Sequence, residues 1–337
     1  MPLIEQSTYR PPRWLKNKQH LQTIIPSAFR KVSGVDYVRE RLELPDGDFL
    51  DLDWSFAANT ILPKPPDSAR PLVILSHGLE GSSERTYMLG MVRTFNQKGY
   101  DALAWNLRGC SGEPNRLERF YHHGATDDLK AVIDYVLALG RYHEIVLVGF
   151  SLGGNLVLKY LGEQAESTPN AIKKAVAMSA PCDLLSSAPL LSNGLMSRFY
   201  ARRFKNKLLA KVKAKAQKGI ISAEKANRLL AINSLEELTE TYVAPLHGFV
   251  DAEDYYIKNS SMYYLENIRV PTLLFNASND PMLSEGCSPT STCRQSSYVF
   301  LEVTPEGGHC GFLPDKLMDG WMYWSEWRTL QFVLEME

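Results

Sequence analysis

Short, continuously apolar runs recur along this chain, and helix-length amphipathic segments separate most of them. The runs are PLVILSH (71–77), DALAW (101–105), EIVLVGF (144–150), KKAVAMS (173–179), VPTLLFNAS (270–278) and YVFLEV (298–303). Strands that are apolar along their whole length are typical of a parallel sheet buried on both faces. The segment DLKAVIDYVLALG (128–140) has the spacing of an amphipathic helix. The alternation predicts an α/β fold with a mainly parallel central sheet and helices on both of its faces.

Two interruptions of this alternation divide the 337 residues into segments. Residues 38–56 alternate with a period of two around Asp46-Gly47, which predicts a hairpin, and a proline-rich loop around 63–66 follows it. Residues 182–268 separate two predicted strands by far more than a crossover needs, which predicts an inserted, mostly helical cap. We therefore expect a leader that packs on the core (1–37), a first part of the core (38–181), the cap (182–268) and a second part of the core (269–337).

The composition excludes several classes of protein. A formal net charge of -1 excludes a globally basic nucleic-acid binder. The five cysteines are scattered without a CxxC pair, which indicates reduced thiols and argues against a disulfide framework or a zinc site. No stretch approaches the ~18 apolar residues that a membrane span needs. We therefore expect a cytoplasmic protein without nucleic acid, metal or stable membrane insertion, and the sequence leaves its oligomeric state open.

One segment of the predicted cap is strongly basic. Residues 198–218 contain nine Lys or Arg residues and no acid, and apolar side chains recur at every fourth position, Tyr200, Phe204, Leu208 and Val212. This pattern predicts an amphipathic helix whose apolar stripe faces the core or the substrate while its basic face lies in solvent. Attraction to acidic substrates, or transient contact with an anionic lipid surface, is the alternative.

The string GFSLG (149–153) lies between a predicted buried strand and a predicted helix. That setting is typical of a nucleophile elbow, a turn that exposes a serine at the edge of the sheet. Glycines on either side of Ser151 are needed because side chains there would collide with the strained turn. A glycine-rich turn with an incidental serine is the alternative.

A serine hydroxyl needs a base to take its proton and an acid to orient that base. Asp280 follows a predicted strand, and His309 lies in a glycine-rich loop after the last one. The order Ser151, Asp280, His309 is that of an α/β-hydrolase triad, and loops at the carboxyl ends of parallel strands converge on one edge of the sheet. We predict that these residues form a catalytic triad. Asp183 and Asp254 are alternative acids, although a turn or capping role also fits each of them.

The negative charge that develops during attack on a carbonyl needs backbone N–H donors. Leu152 directly follows the predicted nucleophile, and Leu79 lies in the loop HGLEG (77–81) after a predicted strand. We predict that the N–H groups of Leu79 and Leu152 form an oxyanion hole. His77 is predicted to shape this loop and not to act as a base.

Two overlapping matches to the acyltransferase string HxxxxD occur together, His122 with Asp127 and His123 with Asp128. We favour a structural interpretation, in which Thr126 caps a helix whose first turn holds the two acids.

Two further polar residues allow two interpretations each. Arg108 either binds an anionic group or, as we favour, braces the loops around the elbow. His20 either lines the mouth of the pocket or, as we favour, packs on the domain.

Several strings together resemble the YheT-like branch of the α/β hydrolases. They are PPRWLKNKQHLQTIIP with its HLQT, HGLEGSSERTY (77–87), NLRGCSGEPN (106–115), YHHGATDDL (121–129), GFSLGGN (149–155), DAEDYYIKNSS (251–261) and GGHCGF (307–312). The resemblance implies an α/β-hydrolase fold from about residue 10 onward and an esterase activity. Eukaryotic members of the group include acylglycerol lipases, phospholipases and medium-chain ester synthases.

These observations predict a serine hydrolase. We expect cleavage of short- to medium-chain acyl esters or acylglycerols, small-molecule substrates, through an acyl-enzyme and without a cofactor. Acyl transfer to an alcohol by the same triad, and a non-catalytic binding protein on the same fold, are the alternatives.

Overall fold

A single sheet runs through the part of the chain that this computed structural model describes, residues 2–57, 70–191 and 195–335. Its nine described strands are β1 (Leu3–Ile4), β2 (Val38–Glu43), β3 (Phe49–Ser55), β4 (Arg70–Ser76), β5 (Asp101–Trp105), β6 (Tyr142–Phe150), β7 (Ile172–Met178), β8 (Thr272–Ala277) and β9 (Val299–Thr304). Their order across the sheet is β1-β9-β8-β7-β6-β4-β5-β3-β2. The strand that leads to Ser151 is therefore at the centre of the sheet.

The sheet is mainly parallel, as the apolar runs predicted. Only the pairs β2–β3 and β3–β5 are antiparallel among the described strands. Each of the six predicted runs coincides with one strand from β4 to β9, and the predicted hairpin is β2 and β3. The two-residue strand β1 escaped prediction because it is too short to show a period. The predicted proline-rich loop around residues 63–66 lies outside the described residues.

Helices cover both faces of the sheet. The described helices are α1 (Gln19–Phe29), α2 (Thr86–Asn96), α3 (Thr126–Ala138), α4 (Leu152–Gln164), α5 (Leu184–Ser187), α6 (Leu195–Gln217), α7 (Ala223–Leu230), α8 (Leu235–Leu238), α9 (Ala244–Leu246), α10 (Ala252–Asn259), α11 (Thr290–Gln295) and α12 (Trp324–Glu335). Leu156 of α4 and Val132 of α3 pack in one apolar cluster with Leu147 of β6. Met91 of α2 and Phe332 of α12 pack on the opposite face. The predicted α/β fold is confirmed.

The long connection between β7 and β8 is helical where it is described, from α5 to α10. Its helices share a small apolar cluster of their own, which includes Val212, Leu229, Leu238 and Tyr242 together with Phe120 from the core. The connection therefore holds itself together and also packs against the core through one aromatic ring. No helix among the described residues is both long and apolar enough to span a lipid bilayer.

The basic helix α6 differs from its prediction. Its apolar stripe faces inward as expected, since Tyr200 and Val212 are buried. The prediction that its basic face lies in solvent is wrong for a second stripe, Lys207, Lys211 and Lys215. Lys215 is buried, and its Nζ donates to the carbonyl oxygens of residues 117, 118 and 119, with the last bond at 2.8 Å. Burial lowers the pKa of Lys215 to about 8. These lysines join the helical connection to the core.

The leader packs on the core through α1 and the residue that follows it. The Arg30 guanidinium pairs with the Glu326 carboxylate, with Nη2 and Oε2 2.8 Å apart, and lies 3.8 Å from the centre of the Tyr323 ring. His20 lies against Tyr200 of α6, with Nδ1 and the hydroxyl oxygen 3.3 Å apart. His20 therefore packs against the helical connection, as the favoured interpretation had it.

Two imidazoles meet where the helical connection contacts the core. The rings of His122 and His247 have centroids 4.4 Å apart. Burial lowers the pKa of His122 well below its ordinary value and lowers the pKa of His247 to about 4. Both rings are therefore neutral in the folded protein at neutral pH.

We expect the protein to lose stability as the pH falls from about 6.5, the value of an ordinary histidine, toward about 4. In this range the unfolded chain takes up a proton at His247 that the folded chain does not. The free energy of unfolding then decreases by up to about 1.4 kcal/mol per pH unit for each such histidine. Thermal denaturation across this pH range measures the effect. His247→Phe should flatten this dependence, because it removes one of the buried imidazoles.

Candidate active site

Ser151 occupies a strained turn between β6 and α4. Its backbone angles are φ 54° and ψ -121°, in a region that residues other than glycine seldom adopt. A Cβ atom on Gly149 would overlap the carbonyl of Gly153, and one on Gly153 would overlap the carbonyl of Ser76. Both positions therefore need glycine because the backbone approaches them closely, as the sequence predicted. The turn holds the serine at the carboxyl edge of the central strand.

The structure brings Ser151, His309 and Asp280 together in one hydrogen-bonded chain. The Nε2 atom of His309 lies 2.9 Å from the Oγ atom of Ser151, and its Nδ1 atom lies 2.8 Å from the Oδ2 atom of Asp280. An ionised carboxylate can only accept, so Nδ1 carries the ring proton and Nε2 accepts from the serine hydroxyl. This arrangement can take a proton from Ser151.

Asp280 follows β8, and its side chain is completely buried. Its other carboxylate oxygen accepts the Met282 N–H at 2.9 Å. The two alternative acids do not face the imidazole: Asp183 caps α5 by accepting from the Ser186 N–H at 3.1 Å, and Asp254 pairs with Lys258. The geometry therefore favours Asp280 among the three acids.

The leader helix α1 holds the loop that carries His309. The amide oxygen of Gln22 accepts the Gly307 N–H and the Asn279 Nδ2–H, each at 2.9 Å. The Thr23 hydroxyl accepts the His309 N–H at 3.0 Å and donates to the carbonyl of Gln19 at 2.8 Å. Sequence reasoning missed these roles of Gln22 and Thr23, although both residues belong to the HLQT string that carried part of the family resemblance.

We expect Thr23→Val to lower kcat roughly ten- to a hundredfold, because a His309 N–H left without its acceptor costs about 1–3 kcal/mol and the imidazole can shift. Thr94→Val is the matched control, since the buried Thr94 hydroxyl bonds Gly90 within α2 and lies away from the site. Steady-state ester hydrolysis measures kcat, which should fall in Thr23→Val alone. Thermal denaturation should show similar losses of stability for the two variants. A similar loss of kcat in both variants would contradict a positioning role for Thr23.

The loop after β4 fixes the backbone around Leu79. The Gly78 N–H donates to the Tyr87 hydroxyl at 3.2 Å, and the Glu80 N–H donates to the Tyr121 hydroxyl at 2.9 Å. The N–H groups on both sides of Leu79 are thus engaged, and aromatic side chains hold the turn in place. The N–H of Leu79 is the one predicted to face the reacting carbonyl.

Leu152 is the first residue of α4, so its N–H has no carbonyl acceptor within the helix. Leu79 and Leu152 line one cavity together with Ser151 and His309. Both residues of the predicted oxyanion hole therefore line the cavity that contains the serine.

His77 is fully buried and shapes the same loop, as predicted. Its Nδ1–H donates to the Gly78 carbonyl at 2.8 Å, and its Nε2 accepts the Leu107 N–H at 3.2 Å. Burial lowers the pKa of His77 to about 3, so the ring stays neutral. His77 has no free nitrogen with which to act as a base.

The HxxxxD matches are structural. Asp128 forms an ion pair with Arg108, whose Nη1 also lies 3.1 Å from Asp48. Arg108 is buried among these carboxylates and braces the loops, as the favoured interpretation had it. The predicted cap by Thr126 is wrong: Ala125 occupies the capping position, and the Thr126 hydroxyl donates to Glu163 at 2.6 Å.

Two cavities meet at the serine. The larger, about 580 Å³, is lined by α1, the start of α2 and one face of α6. The smaller, about 150 Å³, is lined mainly by apolar side chains of the helical connection, among them Leu184, Leu191 and Leu235. Ser151, His309, Leu79, Met282 and Phe204 contribute to both cavities. Because Ser151 lines both cavities, a bound ester can place its two halves in different cavities.

Two further kinds of chemistry concern the cysteine next to His309 and the side chains that could bind a metal ion. Burial raises the pKa of the Cys310 thiol, which follows His309 in the chain, so this sulphur is not a thiolate at neutral pH. Among residues 2–57, 70–191 and 195–335, no group of three His, Cys, Asp or Glu side chains has the geometry to hold a metal ion.

Comparisons with known proteins identify the fold family of this chain. A family model described as alpha/beta hydrolase fold matches residues 71–316. The Escherichia coli K12 protein named "Putative esterase YheT" is 35% identical, over 92% of this chain and 88% of that protein. The mouse protein named "Phospholipase ABHD3" is 29% identical, over 92% of this chain and 74% of that protein. A solved structure of the Pyrococcus furiosus esterase Pf2001 covers 90% of this chain and 94% of its own, with a TM-score of 0.54 and 17% identity.

Proposed function

The chain belongs to the α/β-hydrolase fold family, and on that basis we propose that it is a carboxylic ester hydrolase with Ser151 as its nucleophile. The resemblance inferred from the sequence strings is confirmed by the relatives reported above. The observation that carries the proposal is the hydrogen-bonded chain from the Ser151 hydroxyl through His309 to Asp280. The proposed roles of the three residues rest on this geometry.

The reaction proceeds through an acyl-enzyme. Ser151 Oγ attacks the ester carbonyl carbon while His309 Nε2 takes the hydroxyl proton, and Asp280 stabilises the resulting imidazolium. The N–H groups of Leu79 and Leu152 stabilise the negative charge on the carbonyl oxygen. His309 then gives its proton to the leaving alcohol oxygen, and the C–O bond breaks. Water, deprotonated by His309, releases the acid and restores Ser151.

The smaller cavity accepts the acyl chain in this proposal, and the helical connection, residues 182–268, serves as the cap that closes it. The described lining of the smaller cavity contains no Lys or Arg side chain. Burying each CH₂ group in an apolar cavity gains about 0.8 kcal/mol, roughly fourfold in kcat/KM. The cap would therefore set the preferred chain length within short- to medium-chain esters.

A fluorophosphonate probe tests the proposed nucleophile directly, because it labels only a serine that a base has activated. We expect stoichiometric labelling at Ser151 and hydrolysis of p-nitrophenyl esters. Ester products formed on addition of ethanol would identify an alcohol as the preferred acceptor in place of water. Absence of both labelling and hydrolysis in the folded protein would contradict the proposal.

A bulky residue in the smaller cavity should shorten the preferred acyl chain. Leu235 lines this cavity and is partly exposed to it, so Leu235→Trp fills the space without disturbing a buried packing position. We expect the ratio of kcat/KM for an octanoate ester to that for an acetate ester to fall about tenfold. Leu230→Trp, at an exposed position of α7, is the control and should leave the ratio unchanged. An unchanged ratio in Leu235→Trp would place the acyl chain elsewhere.

A further inference from the structure

The larger cavity carries an unbalanced positive charge. Its described lining contains the cations Arg30, Arg85, Arg203 and Lys207 but a single acid, Glu80. The remaining lining is mostly apolar or uncharged. The smaller cavity, in contrast, has no Lys or Arg in its described lining and one acid, Glu236.

Two of these charges are already neutralised. Arg30 pairs with Glu326 outside the cavity lining, and Glu80 pairs with Lys211 at 2.7 Å. In contrast, no carboxylate of the described residues lies within 4.0 Å of the cationic nitrogens of the other three cations, Arg85, Arg203 and Lys207.

The three cations are held close to one another. Arg85 Nη2 and Lys207 Nζ both donate to the backbone carbonyl of Glu80, at 3.1 and 2.9 Å. Arg203 lies one turn before Lys207 on α6. Burial lowers the pKa of Lys207, and the positive charges of Arg85 and Arg203 lower it further. Like charges gathered beside a cavity repel one another, and a bound anion would relieve that repulsion.

The position of the cluster relative to the serine limits what it can bind. Arg85 and Lys207 bond the residue after Leu79, so their charges lie next to the proposed oxyanion loop and on the side of the larger cavity. The acyl chain is assigned to the smaller, apolar cavity. A charged substituent of the ester must therefore belong to its alcohol part.

Resting on the proposed function, we propose that Arg85, Arg203 and Lys207 form a subsite for an anionic group on the alcohol part of the ester. A carboxylate and a phosphate share the chemistry that the subsite recognises, acceptor oxygens with negative charge. The substrate class is thus an acyl ester with an apolar acyl chain and an anionic alcohol.

Three esters with the same acyl chain test the subsite: 1-butyrylglycerol, 1-butyrylglycerol 3-phosphate and 3-O-butyrylglycerate. We expect kcat/KM to be about tenfold or more higher for an anionic ester than for the neutral one, since charge-assisted hydrogen bonds to a partly desolvated anion are strong. The phosphate and carboxylate arms distinguish the two sources of charge, and a preference in either arm supports the proposal. Equal kcat/KM for all three esters would overturn it while leaving the ester hydrolase intact.

Variants of α6 test whether Arg203 contributes to the preference for anionic esters. Arg203→Gln should reduce the ratio of anionic to neutral kcat/KM about tenfold. Arg202→Gln is the matched control, because Arg202 is the neighbouring exposed arginine and lies outside both cavity linings. A ratio that Arg203→Gln leaves unchanged would show that the preference arises elsewhere and would overturn the assignment.

Binding without chemistry separates the two proposals. The uncleavable ether 1-O-butylglycerol 3-phosphate should bind the full chain about tenfold more tightly than 1-O-butylglycerol in titration calorimetry, and Arg203→Gln should reduce that difference. This result in a protein that hydrolyses none of the esters would support the subsite and overturn the hydrolase. Equal affinity for the two ethers would overturn the subsite.

Discussion

Replacement of Ser151 by alanine is expected to lower kcat for ester hydrolysis by about 10⁴-fold or more and to abolish labelling by a fluorophosphonate. The reason is that the acyl-enzyme cannot form without the Oγ atom, and only binding and the oxyanion donors remain. Alanine keeps the Cβ atom and adopts the turn at a strain similar to that of serine, so the thermal denaturation midpoint should change little. Steady-state kinetics, gel-based labelling and circular dichroism measure the three quantities.

Ser27→Ala is the matched control for this experiment. Ser27 is exposed and lines the larger cavity that also contains Ser151. Within the described residues, the imidazole of His309 bonds the hydroxyl of Ser151 and not that of Ser27. Ser27→Ala should therefore retain both labelling and turnover. Turnover near the wild-type value in Ser151→Ala would mean that the elbow does not carry the nucleophile.

Replacement of Asp280 by asparagine is expected to lower kcat by about 10³-fold or more. The side-chain amide can donate to Nδ1 of His309, and this would place the ring proton on Nε2, where it blocks acceptance from the Ser151 hydroxyl. The Met282 N–H can still bond the amide oxygen, so the loop should keep its shape. Kinetics over several substrate concentrations should show the loss mainly in kcat.

The same substitution at the two other acids supplies the comparison. Asp183→Asn and Asp254→Asn alter a helix cap and an exposed ion pair, and each should change kcat less than about threefold. A larger loss of kcat at either position than at Asp280 would move the acid to that position.

The fold could be predicted because its determinants are local. Each core strand is a run of apolar residues, and the turn at Ser151 depends on Gly149 and Gly153, which lie two residues before and two residues after it. The order of the three triad residues along the chain then limits where the parallel strands can bring them. Burial and backbone conformation act here over a few residues, and a sequence records both.

The contacts that position the site could not be predicted in this way. Gln22 bonds Asn279 and Gly307, and nothing in the leader indicates which distant loop it faces. Lys211 and Lys215 look like solvent-facing residues of a basic helix, yet their partners are Glu80 and the carbonyls of a core loop. A hydrogen bond between remote segments depends on how whole elements dock, which a local pattern does not record.

The bond between Gln22 and Gly307 joins positions 285 residues apart in the chain. During synthesis at about 5–20 residues per second, roughly 15–60 s pass between the emergence of the first partner and that of the second. The sheet can begin to pair in that interval, whereas the loop of His309 has no support from the leader until both partners exist. The proposed catalytic centre is therefore among the last parts of the protein to assemble during synthesis. A nascent chain on the ribosome would form part of its central sheet before it could hydrolyse an ester.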